Sequence, residues 1–180
     1  MCIRDRSTAT SELPSKGHIL INLVNSNDDM SRRPIVYFGS VRTVSTSSKH
    51  SFVGKYDAIV EKLGIKGAVK GKNVAIKLHL GSHWGFSTVH PFLVGRLVHT
   101  IKGGGGKPYV VDIIDQFAEG AKRGYRQEVL GCPILPVAGL GDSYYVERKV
   151  NYKGLKVLQM GGHIKDADVL VDLSHVKGHN

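Results

Sequence analysis

Cysteine is nearly missing from this sequence, which contains only Cys2 and Cys132 among its 180 residues and has no CxxC spacing. So small a number excludes a disulfide framework and is typical of a reducing compartment, so we expect a cytoplasmic protein. Cys132 stands beside Pro133 and before an apolar run. That context predicts a small buried residue rather than a catalytic nucleophile.

Long apolar runs and acidic residues are also scarce. No stretch reaches the roughly 18 apolar residues that a membrane-spanning helix needs, so no membrane partner is expected. The chain has 15 Asp+Glu against 25 Lys+Arg, a net charge of +10, which favours anionic partners. The lysines are dispersed, aromatic residues make up only 7%, and no recognised nucleic-acid module occurs. An anionic small molecule or cofactor is therefore favoured over nucleic acid.

The first 33 residues differ from the rest in being rich in Ser, Asn and Asp. The opening six residues, MCIRDR, resemble a translated sequencing adapter of the kind found at the ends of metagenomic reading frames. We interpret residues 1–33 as a disordered or artefactual leader, with Met30 as a candidate natural start. Residues 34–180 are then a partial α/β domain, truncated at its C-terminal end and long enough to form a packed core.

Apolar periodicity in residues 34–180 alternates between strand and helix patterns. Strands are predicted at 34–38, 73–80, 108–114, 133–137 and 169–173, and helices at 55–63, from Pro91 onward, and more weakly at 119–130. This alternation indicates an α/β fold with a mostly parallel sheet and flanking helices. Two alternating segments joined by Lys153-Gly154 predict a small antiparallel hairpin insertion near residues 144–160.

Parallel sheets bind ligands beyond the carboxyl ends of their strands, and polar side chains occur there in this sequence. Lys77 and His79 share one face of the second strand, and Gly81 allows the backbone to turn after it. The alternative is that Lys77 only reaches solvent and His79 is a satisfied edge residue. Asp112, at the end of the third strand, could orient a lysine, a histidine or a metal, or could cap the following helix.

The last strand runs into the segment SHVKGH, residues 174–179. In a helical turn, His175 and His179 would share a face and could bind one metal. In an extended segment they would line one side together with Lys177, a residue type that can hold an anion or act as a nucleophile. A solvated polar loop is the third interpretation of this segment.

The candidate site comprises catalytic Lys77, Asp112, Ser174 and Lys177, cofactor-binding Gly81 and Gly178, and metal-binding His79, His175 and His179.

Three segments, VAIKLHLG (74–81), GGKPYVVD (105–112) and ADVLVDLSHVKGH (167–179), occur in this order. Their order and spacing resemble the domain of unknown function 362 family, whose members are often called iron–sulfur centre proteins. The resemblance implies an α/β fold over about residues 34–180. It also implies that many members carry a C-terminal ferredoxin-like domain with cysteine-bound four-iron–four-sulfur clusters. Since this chain has none of those cysteines, we expect no cluster in it and place any cluster in the remaining part of the full-length protein.

Two functions are compatible with these observations. The first is a redox-linked or metal- or cofactor-dependent enzyme domain that acts on an anionic small molecule at the strand ends. The alternative is a non-catalytic binding module that uses the same lysines to hold an anionic cofactor or partner. A nucleic-acid binder would need a continuous basic face, which the dispersed lysines do not indicate. The substrate, the reaction and the oligomeric state are not determined by the sequence.

Overall fold

The computed structural model describes residues 35–83, 85 and 87–176, together with the backbone of residues 19–24. The strands in these ranges are β1 (Ile19–Val24), β2 (Asn73–Lys77), β3 (Lys107–Asp112), β4 (Ile134–Pro136), β5 (Tyr145–Tyr152), β6 (Leu155–Gly161) and β7 (Val169–His175). The α-helices are α1 (Phe52–Lys62), α2 (Ile65–Ala68), α3 (Pro91–Gly103), α4 (Phe117–Lys122), α5 (Gln127–Leu130) and α6 (Gly162–Lys165).

The main sheet has the strand order β1-β7-β2-β3-β4. Strands β7, β2, β3 and β4 are parallel, and β1 pairs with β7 in the antiparallel direction. Strands β5 and β6 form a separate two-stranded antiparallel sheet. These findings confirm the predicted α/β fold, its mostly parallel sheet and its hairpin insertion.

The core lies between the central strands and the helices that cover them. β2 carries a run of three fully buried residues, Val74 to Ile76, as expected of a strand covered on both faces. Helix α3 buries a stripe consisting of Leu93, Val94, Leu97, Val98 and Ile101. The α3 helix begins with Pro91 in its first turn, and the Nδ1 atom of His90 accepts a hydrogen bond from the Phe92 amide at 3.2 Å. The loop that follows β2 therefore ends at His90, and α3 begins at Pro91.

The prediction of a strand at residues 34–38 is wrong. Residues 35–38 have no strand pairing, and Ile35, Val36 and Phe38 are exposed. The place beside β7 is occupied by β1, which lies within the range interpreted as a leader. An apolar run of strand length does not by itself specify that the segment pairs with the sheet, and the neighbour of β7 at this edge is β1.

Several predicted boundaries are also corrected. β2 ends at Lys77 and β3 at Asp112, so each is shorter than predicted at its carboxyl end. The weak helix predicted at 119–130 is two short helices, because Gly124 has a φ of +92° and interrupts the helical path between α4 and α5. Because β2 ends at Lys77, His79 lies in the loop after β2 and not on the strand itself.

Tyr109 joins β3 to α6. Because its phenol is shielded from water there, we expect the free energy of unfolding to fall at alkaline pH. Its Oη donates to the carbonyl oxygen of His163 at 2.6 Å, and burial raises the pKa of Tyr109 to about 12. Since that pKa exceeds the unfolded value near 10, the folded chain holds the phenol proton more tightly, and stability falls as pH rises from about 10 to about 12. We expect Tyr109→Phe to reduce this alkaline loss, at a cost of about 1 kcal/mol at neutral pH from the missing hydrogen bond. Urea unfolding at pH 8 and pH 11 measures both effects.

The matched control is Tyr152→Phe, because Tyr152 is exposed on the hairpin. It should leave the difference between the two pH values unchanged. If Tyr109→Phe and Tyr152→Phe give the same alkaline loss as the unmodified chain, the buried phenol is not its source.

Candidate functional site

The register of the sheet brings polar residues together at its carboxyl edge. Lys77, the last residue of β2, is paired with Val111 on β3 and with Asp172 on β7. Asp112 follows Val111 directly and ends β3. Three neighbouring strands thus end in Lys77, Asp112 and the Asp172–His175 segment, as the strand-end rule leads one to expect.

Asp112 is the centre of this arrangement. Its side chain is 4% exposed, and Oδ1 accepts a hydrogen bond from Lys77 Nζ at 3.0 Å while Oδ2 accepts one from the Leu80 amide at 2.7 Å. A carboxylate removed from water needs such donors. The following 3-10 helix, Ile114–Gln116, has Ile113 at its N-cap and no side-chain cap. Of the alternatives left open by the sequence, Asp112 therefore orients a lysine and does not cap a helix.

His79 lies beside the same carboxylate. Its Nδ1 atom is 3.9 Å from Asp112 Oδ2, which is an ion-pair contact when the ring is protonated and is too long for a hydrogen bond. Nδ1 is thus on the side of Asp112, and Nε2 lies on the opposite edge of the ring. The carboxylate thus lies beside an imidazole, a group that can exchange protons or bind a metal.

Lys77 connects the buried carboxylate to the solvent. Its ammonium also donates to the carbonyl oxygen of Leu78, and its side chain is 34% exposed. An ammonium has three N–H donors, and the Asp112 and Leu78 oxygens account for two of them. Lys77 can therefore direct a further donor toward an anion without giving up Asp112.

The end of β7 adds a second polar group to this edge. Ser174 Oγ donates to Asp172 Oδ1, and Asp172 lies level with Lys77 in the sheet. His175 ends β7, and its Nδ1 is buried with no hydrogen-bond partner among the described residues. Such a buried ring nitrogen is costly unless something satisfies it. Lys177, Gly178 and His179 lie outside the described residues.

The loop after β2 is held in a tight conformation around Gly81. Gly81 has a φ of +81°, and a Cβ atom there would lie 2.7 Å from Thr88 Cγ2 and 3.1 Å from Gly85 Cα. Both the backbone angle and the available space therefore require glycine. The predicted contact of Gly81 with a cofactor stays a prediction.

Sequence reasoning missed Arg123, which organises this loop. Its Nη1 donates to Ser82 O at 3.0 Å, and its Nη2 donates to Leu80 O at 2.7 Å and to Gly81 O. Sequence reasoning also missed the Leu80 amide, which donates a hydrogen bond to Asp112. No spacing in the sequence indicates either contact, because Arg123 is 43 residues from Leu80 and a backbone amide has no residue signature.

Two further predictions concern metal and thiol chemistry. Among the described residues there is no group of three or more His, Cys, Asp or Glu that could hold a metal ion, and the predicted ligand His179 lies outside them. Cys132 is buried, as predicted, and this burial raises its pKa to about 11. A thiol with that pKa is little ionised near neutral pH, which is typical of a structural cysteine.

The fold and this edge define an α/β protein with a polar cluster at the carboxyl ends of the central strands of a parallel sheet. The family model described as Domain of unknown function (DUF362) matches residues 74–180, more than half of the chain. The chain therefore belongs to the DUF362 family. No curated protein and no solved structure matches it. Within the described part of the chain, none of the helices combines the length and apolar character needed to span a membrane.

Proposed function

We propose that this chain is part of a cytoplasmic, redox-linked or metal- or cofactor-dependent enzyme domain that acts on an anionic small molecule at the carboxyl edge of its parallel sheet. The observation that carries the proposal is the cluster of Lys77, His79 and Asp112, in which one buried carboxylate contacts both a lysine and a histidine. Membership of the DUF362 family is compatible with this proposal, but it does not identify a reaction.

Each member of the cluster has a distinct chemical role in this proposal. Lys77 holds the carboxylate or phosphate group of the ligand, since its exposed ammonium can donate outward while Asp112 fixes its position. His79 exchanges a proton with the ligand, and its Nδ1 atom lies beside Asp112. Ser174, bonded to Asp172, supplies a hydroxyl at the same edge.

The metal or cofactor would be held by imidazole nitrogens. The proposed ligands are His79, His175 and His179, and imidazole suits zinc, iron, nickel and copper. The buried, unpartnered Nδ1 of His175 supports this assignment, because a bound group would satisfy it. A bound metal would supply Lewis acidity or electron transfer next to Lys77.

The alternative, a non-catalytic module that binds an anionic cofactor or partner, is favoured by one observation. The described residues hold no three-ligand metal group, whereas the ammonium of Lys77 is partly exposed and has one N–H donor beyond those that bind Asp112 and Leu78. Metal content and anion binding therefore distinguish the two functions.

The test measures metal content and phosphate binding in single variants of the purified chain. We expect His79→Gln, His175→Gln and His179→Gln each to lose more than half of the bound metal, measured by plasma mass spectrometry. Lys77→Met should keep the metal and weaken binding of inorganic phosphate about tenfold, the loss of one charge-assisted contact. His50→Gln is the control, because His50 contacts Ser45 and Ser47 in the segment before α1.

Equal metal content in all four histidine variants would overturn the metal assignment. If Lys77→Met nevertheless weakens phosphate binding, the binding module is the better description. If none of the variants changes metal content or phosphate binding, both functions are wrong for this edge of the sheet.

A further inference from the structure

A groove on the outer side of α3 is separate from the strand-end cluster. It has a volume of about 840 Å³ and is lined by α3 and by residues of the segment 123–131. The lining of the groove does not include Lys77, His79 or Asp112. The volume lies within the range of roughly 300–1,000 Å³ that is typical of small-molecule sites.

The charge of the groove is positive. Arg96, His99, Lys102 and Arg123 line it, and no Asp or Glu side chain does so among the described residues. The charge of Arg96 is partly neutralised, because its Nε donates to Asp57 Oδ1 at 2.8 Å. The hydrogen bonds found for Lys102 and Arg123 go to backbone carbonyl oxygens. The charge of Arg123 also interacts with the Glu119 carboxylate, so Lys102 is the less compensated of the two cations. The groove therefore favours an anion.

The walls of the groove are partly apolar. Phe92 on α3 and Val129 on α5 line it and are both exposed, and Val98 and Leu130 line it as well. Exposed apolar side chains beside cationic ones match a ligand that has an apolar body and an anionic head. A bare inorganic anion would leave these walls unused.

Arg123 is shared between the groove and the loop after β2. Its Nε is buried and has no hydrogen-bond partner among the described residues, although the residue lines the groove. Its other nitrogens hold the carbonyl oxygens of Leu80 and Ser82, so Arg123 joins the groove to the loop after β2.

We propose that this groove is a binding site for a small amphiphilic anion, in which a carboxylate, sulfonate or phosphate is attached to an aromatic or aliphatic body. The anionic head contacts Lys102 or Arg123, and the body packs against Phe92 and Val129. This site is distinct from the strand-end cluster and does not depend on the function proposed for it.

The test is a fluorescence titration of the full chain with 8-anilinonaphthalene-1-sulfonate, compared with the uncharged N-phenyl-1-naphthylamine. Lys102→Gln should weaken binding of the sulfonate about three- to tenfold, as expected for one partly screened charge, and should change binding of the neutral dye much less. Lys156→Gln is the matched control, because it removes the same charge from the hairpin strand β6. It should leave both titrations unchanged.

A second variant fills the groove instead of changing its charge. Gly95 lines the groove on α3, and a Cβ atom there would meet only Val129 O, at an ordinary 3.7 Å. Gly95→Phe should therefore abolish binding of both dyes, whereas Gly95→Ala should retain most of it. Circular dichroism and the urea midpoint verify that each variant is folded. If Lys102→Gln and a folded Gly95→Phe both bind the sulfonate as the unmodified chain does, the dye binds elsewhere and the proposal is wrong.

Discussion

Replacement of Asp112 by alanine is expected to lower the free energy of unfolding by about 1–4 kcal/mol. The Leu80 amide would lose its acceptor in a buried environment, which by itself costs about 1–3 kcal/mol. Lys77 would lose its counter-charge as well, but its partial exposure lets water replace that interaction, so this contribution is at most about 1 kcal/mol. Urea unfolding followed by circular dichroism measures the sum.

Two variants separate these contributions. Asp112→Asn keeps an acceptor oxygen for the Leu80 amide and should cost roughly half as much as Asp112→Ala. Asp115→Ala removes a carboxylate that is exposed three residues further on, and it should change stability by less than about 0.5 kcal/mol. An Asp112→Ala variant as stable as Asp115→Ala would show that the carboxylate does not hold the loop.

The second large effect is expected for Gly81→Ala, which should destabilise the chain by about 2–4 kcal/mol. One part of the cost is the positive φ, about 1–2 kcal/mol for an alanine. The remainder comes from overlap of the new Cβ with Thr88 Cγ2 and Gly85 Cα. Because the loop carries the Leu80 amide, we also expect Gly81→Ala to weaken the contact between Leu80 and Asp112.

The steric part can be isolated with a second substitution. Thr88→Ser removes the Cγ2 atom that lies 2.7 Å from the added Cβ, so the double variant should recover part of the loss but not the part due to φ. Gly67→Ala in α2 is the control, since a Cβ there meets nothing within 4 Å and alanine favours a helix. A Gly81→Ala variant no less stable than Gly67→Ala would refute the conformational argument.

The sequence predicted the parts of the fold that depend on periodicity. β2, β3 and α3 were predicted at nearly the observed positions, because their apolar spacing reports directly which face is buried. The strand at residues 34–38 was predicted wrongly for the opposite reason. Apolar composition indicates that a segment could be buried, but it does not determine whether the segment pairs with the sheet.

The candidate site was predictable to a similar extent. Lys77 and Asp112 could be placed together, because parallel strands end at one edge and both residues end strands. Arg123 and the Leu80 amide could not, since they act through backbone groups and through contacts between distant parts of the chain. The structure does not test whether His175 and His179 share a ligand, and that stays a prediction.

The position of β2 between β3 and β7 has a consequence for how the protein is made. β7 is distant in sequence from β2: the Asn73 amide donates to Asp168 Oδ2 across 95 residues. As the chain emerges from the ribosome, β2, β3 and α3 can associate early, whereas one edge of β2 stays unpaired until β7 has been synthesised. Such an open, apolar strand edge invites association with other chains during this interval. Protection of this β2 edge thus depends on a late event, the insertion of β7, which also brings Asp172 and Ser174 beside Lys77.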